Sequence, residues 1–154
     1  MNEKIYGLSN IIKIVLEIII GIGCLVLLFL YPLTKYLGIH YDLFIIMVYP
    51  CGITFLFLVY QFVKLFDTLK NKIPFCSENV KRFKNSMYSS IIISILIIGA
   101  LLISIFVYNY YSLQLKFALG FISFLFFCFT ICFYVLSELF KQASKYKEEN
   151  DLTI

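Results

Sequence analysis

Few side chains in this 154-residue chain could carry chemistry. There is one histidine, His40, and five cysteines, Cys24, Cys51, Cys76, Cys128 and Cys132. Cys128 and Cys132 stand four apart, a spacing that places two thiolates on one helix face and could begin a metal site. A structural zinc needs four ligands. With His40 at the far turn of the chain, no such set assembles. No metal and no cofactor is expected, and the cysteines read as small buried hydrophobes. Glu17 and Glu138 are the ionisable residues that border apolar runs, where a carboxylate flags function. One reading is a proton or cation site between the helices that carry them. The other is local pairing, since Lys13 and Lys141 each lie one turn away. No Gly-rich phosphate loop, nucleophile elbow or metal-binding histidine pair occurs, so no catalytic residue is assigned and an enzyme is not expected.

The elements that hold these residues follow from composition. Hydrophobic residues make up 62% of the chain and charged ones 14%, with a mean hydropathy of +0.93. A soluble domain is about 45–50% apolar and about 25% charged, and disorder needs low hydrophobicity. Both classes are excluded. Four apolar stretches, 14–33, 43–63, 87–108 and 117–136, each reach the roughly 20 residues that cross a hydrocarbon core as a helix. The apolar residues run continuously, as over 91–93 and 95–98, where a lipid-facing strand would alternate. The predicted fold is an all-α integral membrane protein, four transmembrane helices in one antiparallel bundle. It forms a single membrane domain, with a basic loop over 64–86 and a polar tail over 137–154.

Charge sorting orients the bundle. Of the thirteen Lys and Arg residues, only Lys35 and Lys116 fall outside the two termini and the 64–86 loop. The basic side faces the cytoplasm by the positive-inside rule, so both termini are expected there and Cys76 in a reducing compartment, without disulfides. The other interface carries tyrosines, Tyr31, Tyr36, Tyr41, Tyr108, Tyr110 and Tyr111, as an aromatic belt. The Ile, Lys, Phe and Tyr excess fits an AT-rich bacterial genome, which makes the expected location a cell membrane. Gly21-Ile22-Gly23-Cys24 has the order of a lipoprotein processing site. However, the apolar run continues over 25–30, so no cleavage is expected.

Polar residues inside the spans are sparse: Thr54, Gln61, Ser94, Ser104, Ser123 and Thr130. Pro50-Cys51-Gly52 interrupts the second span, but no matching break stands in a second half, against the pattern of an inverted-repeat transporter. Ser86, Ser90 and Ser94 form an i, i+4 ladder that reads as a helix-packing seam.

Two polar segments carry the remaining information. Pro74 disfavours helix at Ile73, Ser77 is a good N-cap and Glu78 suits a first turn, so the third helix is predicted to begin at Ser77. Lys81, Arg82 and Lys84 then fall at the level of lipid phosphates. The tail turns acidic at Glu148, Glu149 and Asp151 and ends on Leu152-Thr153-Ile154, a form that suits a groove or sheet edge. It could dock on a partner. It could also fold back, placing its acids near Lys81, Arg82 and Lys84. The Pro74-Phe75 pair followed by Asn79 and Arg82, together with the stretch Lys147-Glu148-Glu149-Asn150-Asp151-Leu152-Thr153-Ile154, resembles a bacterial family of small four-helix membrane proteins, domain of unknown function 2975. The resemblance extends over essentially the whole chain in length and span order; Phe83 stands where the family more often has leucine. It implies no activity, but it does imply a frequent genomic neighbour, a short helix-turn-helix regulator of the Cro/repressor type. The candidate interaction motif is therefore Pro74, Phe75, Asn79 and Arg82 with Glu148, Glu149, Asn150, Asp151, Leu152, Thr153 and Ile154. The expected function is a non-enzymatic membrane protein that presents a cytoplasmic face to such a regulator, without binding nucleic acid itself. The alternative is a small transporter or channel subunit using Glu17 and Glu138.

Overall fold

Long apolar runs flanked by good helix formers leave the backbone one choice in lipid, where every N–H must be satisfied within its own segment. The computed structural model describes residues 2–36, 42–70, 75–106 and 113–151, and nearly all of these are helical. The helices are α1 (Asn2–Tyr36), α2 (Asp42–Lys70), α3 (Ser77–Phe106) and α4 (Leu113–Asp151). Each contains a stretch long and apolar enough to cross a membrane. The third helix begins at Ser77, as its capping residues predict, with Glu78 in the first turn.

Two segments are more helical than their polarity suggested. The 64–86 region is mostly the two ends of α2 and α3, which leaves a short connection over 71–76. The 137–151 segment continues α4, whose 39 residues span about 58 Å at 1.5 Å per residue. That exceeds the roughly 30 Å hydrocarbon core. Glu, Lys, Gln and Ala are strong helix formers, and the segment keeps the packing stripe of the membrane part.

That stripe is the organising feature. On α4, Ser123, Phe126, Thr130, Phe133, Ser137, Phe140 and Ser144 are buried or half-buried at alternating spacings of three and four. On α3 the matching row is Asn79, Phe83, Ser86, Ser90, Ile93, Ile97, Ala100 and Ser104, all buried. A 3.5-residue repeat keeps one seam facing a partner along two helices. The serine ladder therefore lies in a seam and not against lipid. Ser94 Oγ and Ser123 Oγ lie 3.1 Å apart and each reaches the other's backbone carbonyl, at 3.2 and 3.3 Å. Phenylalanines also reach from α2 to α4, with Phe62 and Phe133 rings 5.5 Å apart and Phe55 and Phe126 6.5 Å apart. Leu58, Phe83, Ile93, Ile97 and Phe133 form the core of this three-helix unit.

The first helix is placed differently. It packs on α2, and its backbone does not approach that of α3 or α4 within 8 Å among the described residues. Its half-buried stripe is Leu16, Ile20, Gly23, Leu27, Leu30 and Thr34. Two reciprocal fits seat it. A Cβ on Gly23 would stand 2.5 Å from Leu56 Cδ2, and one on Gly52 would stand 2.6 Å from Leu27 Cδ2. Each glycine is the hole for a leucine of the opposite helix. At the tyrosine-rich end Tyr31 N donates to Tyr49 Oη at 3.2 Å. Pro50 sits inside α2 without ending it, and its carbonyl accepts from Thr54 Oγ1 at 2.7 Å.

Candidate interaction surface at the basic end

The basic ends of the four helices project past their apolar spans; polar contacts tie α1 to α2 and α2 to α3, and aromatic packing ties in α4. Asn79 is fully buried in the first turn of α3. Its backbone N–H donates to Cys76 O at 3.1 Å, which closes the turn ahead of the helix. Its Oδ1 accepts from Thr68 Oγ1 at 2.9 Å and from Arg82 Nη1 at 3.2 Å. Arg82 Nη1 also donates to the Lys64 carbonyl, and Nη2 bonds Glu78 Oε2 at 3.1 Å. A planar guanidinium with several donors can serve three acceptors at once. Asn79 and Arg82 thus form a clasp that locks α3 to the end of α2. Nothing in the sequence flagged Thr68, which completes it.

Phe75, the remaining described residue of the Pro74-Phe75 signature, lays its ring 5.6 Å from that of Phe140 while staying 43% exposed. Phe83 meets the same ring at 4.8 Å. The turn before α3 is therefore pinned to α4 by aromatic packing and to α2 by the clasp. Pro74 lies outside the described residues, as do Leu152, Thr153 and Ile154.

The acidic turn at the end of α4 is helical. Glu148, Glu149 and Asn150 are exposed and Asp151 is the last helical residue. Glu148 shares a cleft of about 370 Å³ with Ser77, Val80, Lys81 and Lys84 of α3 and with Lys141, Ser144 and Lys145 of its own helix. Of the acids expected near the α3 cations, Glu148 is placed beside Lys81 and Lys84, and it arrives there on a helix that runs straight on. Arg82 faces the clasp, away from this cleft.

The two glutamates do not form a joint site. Glu17 pairs with Lys13 at 3.6 Å and Glu138 with Lys141 at 3.5 Å, each within one helix. Their helices do not approach each other, because α1 is held on the outer side of α2 by the glycine–leucine fits. Lys13 makes its closest ion pair, 2.6 Å, with Asp67 of α2. Asp67 is one of two acids, with Glu78, in the basic 64–86 stretch, and only the structure shows that it faces α1. Between the ends, the groove walled by Cys51, Phe55, Ile93, Ile97 and Phe126 has about 400 Å³ and carries no charged side chain. Among the described residues no three His, Cys, Asp or Glu side chains gather at one point.

No curated protein and no solved structure matches the chain. A family model described as "Protein of unknown function (DUF2975)" matches residues 27–154, which takes in the last turns of α1 and the whole three-helix unit with its clasp and basic cleft. The chain is a member of the DUF2975 family.

Proposed function

We propose that this is a multi-pass protein of a bacterial cell membrane whose basic end lies in the cytoplasm and docks a cytosolic protein, with no reaction of its own. The observation that carries the reading is the course of α4. It leaves the apolar span near residue 136 and stays helical to Asp151, about 22 Å further at 1.5 Å per residue. A disordered tail would pay its ordering entropy on binding; a helix braced on α3 by Ser137, Phe140 and Ser144 has lost that freedom already. Its exposed last turn offers Glu148 and Glu149, which suits a basic partner surface. The helix-turn-helix regulator implied by the family resemblance has such a surface where it meets DNA phosphates, and engagement there would hold it off DNA. Transport through the bundle has less support, because the membrane-level groove is apolar and the glutamates sit apart at one end.

The test is direct binding. The full chain in lipid nanodiscs is titrated with the purified regulator encoded beside its gene, and the Glu148→Lys/Glu149→Lys variant with the same regulator. Binding that the double variant abolishes, and that DNA carrying the regulator's operator competes away, is the expected result. Absence of binding by the unaltered chain, or equal binding by the variant, would reject docking at this turn.

A further inference from the structure

The cleft between the basic ends of α3 and α4 has no assigned occupant, and its chemistry is specific. Lys81 and Lys84 approach from α3, and Lys141 and Lys145 from α4. Glu138 takes up part of the charge of Lys141, and Glu148 closes one side. Among the described residues Lys81, Lys84 and Lys145 make no ion pair within 4.0 Å. Four lysines against Glu148 and the Glu138 partner of Lys141 leave a net positive recess, which attracts an anion. The seam of buried serines and phenylalanines fixes the spacing of α3 and α4, and so of the backbone positions that carry these four exposed lysines. Lysines are compact point charges suited to phosphate, and the chain's single arginine is committed to the clasp.

Depth identifies the source of the anion. Lys84 stands three residues before the apolar span begins at 87, and Lys141 five residues beyond its end at 136. At 1.5 Å per residue these are about 4–5 Å and 7–8 Å outside the hydrocarbon. The headgroup layer is about 5–8 Å thick on each side, so both lysines sit among lipid phosphates. Lys81 and Lys145, about 9 Å and 13–14 Å out at the same rise, stand above that layer, and their long side chains extend down toward the outer part of a headgroup. A soluble anion would find this cleft already lined by lipid.

We propose that the α3–α4 cleft binds the phosphate headgroup of an anionic phospholipid, with Lys84 and Lys141 on the phosphate and Lys81 and Lys145 above it. This goes beyond partner docking and is tested without any partner, so either idea can fail alone. The full chain, purified in detergent with phosphatidylcholine, is titrated with phosphatidylglycerol, and retained lipid is counted by native mass spectrometry. Thermal retention of the folded protein is followed in parallel. Phosphatidylglycerol should be retained in preference to phosphatidylcholine and should raise thermal retention.

Lys84→Gln/Lys145→Gln should weaken retention about thirty-fold, at the roughly five-fold per lysine that a surface charge contributes toward anionic lipid. Lys84→Arg/Lys145→Arg should keep most of it. Lys35→Gln/Lys116→Gln, which removes the same charge from the opposite end, should leave it unchanged. Lys145→Gln alone serves if the double variant does not elute as a folded species. Equal retention of the two lipids overturns the proposal, as does a loss that the opposite-end variant reproduces. Displacement of phosphatidylglycerol by an equal concentration of inorganic phosphate or pyrophosphate would make the ligand a soluble anion and overturn the lipid assignment.

Discussion

Replacing Asn79 by leucine tests whether the family signature is a clasp. Asn79 is fully buried and its Oδ1 takes two donors. Loss of the Arg82 bond, 3.2 Å long, removes a hydrogen bond to a charged group, worth about 1.5–3 kcal/mol; its length favours the lower half. Thr68 has one proton and a second acceptor, Leu65 O at 2.7 Å, so its loss adds little. Arg82 keeps the Lys64 carbonyl and Glu78, so no buried charge is orphaned. The bulkier leucine adds about 1 kcal/mol of overpacking. The expected destabilisation is about 2–3 kcal/mol, read as a shifted midpoint of equilibrium unfolding in mixed micelles of rising SDS content. Asn79→Asp keeps the acceptor beside Arg82 and should recover most of the loss. A double-mutant cycle of Asn79→Leu with Arg82→Met should show coupling above the ~0.5 kcal/mol scatter of independent sites. Wild-type stability of Asn79→Leu, or strict additivity in the cycle, would refute the clasp.

Other outcomes follow from single contacts. Ser90 is fully buried and its Oγ has no hydrogen-bond partner among the described residues, so Ser90→Ala should match or exceed wild-type stability, whereas Ser90→Leu should cost about 1–3 kcal/mol by overpacking the seam. Gly52→Ala should be mild because the Leu27 methyl it meets can rotate away; Gly52→Leu should release α1, seen as faster proteolysis between α1 and α2 with the three-helix unit intact. Asp67→Lys, which replaces the partner of Lys13 and Lys64 by a like charge, should lower the unfolding midpoint, and Lys13→Glu in the same chain should restore part of it. A membrane-impermeant maleimide should label Cys76 in inverted vesicles and not in intact cells, and labelling of intact cells would reverse the proposed orientation.

The Ser86, Ser90 and Ser94 ladder shows what was legible in the sequence and where legibility stopped. Its spacing marked a packing face, and the face is buried. That it meets Ser123 of α4, and that Ser137 and Ser144 carry the same seam beyond the membrane, could not be read from a row of serines. Glu17 and Glu138 show the opposite case. Each was correctly read as one turn from a lysine, yet a joint site needed α1 beside α4. Asn79 and Arg82 stood out as a signature while their partners, Thr68 and the Lys64 carbonyl, are an unremarked threonine and a backbone atom.

Membrane residence, four helices, the start of α3 at Ser77 and the segregation of lysines to one end were determined by the sequence by itself. These depend on quantities that run along the chain: apolar length against bilayer thickness, a capping residue, the order of charges. Tertiary structure alone decided that α1 stays at the edge, that Asn79 and Arg82 face inward, and that lysines 57 positions apart, at 84 and 141, share one cleft. In lipid the hydrophobic effect does not choose between helix neighbours, since tails are as apolar as the helices. The choice falls to close fits, such as Gly23 against Leu56, Gly52 against Leu27 and Ser94 against Ser123, which exist only once the backbones meet.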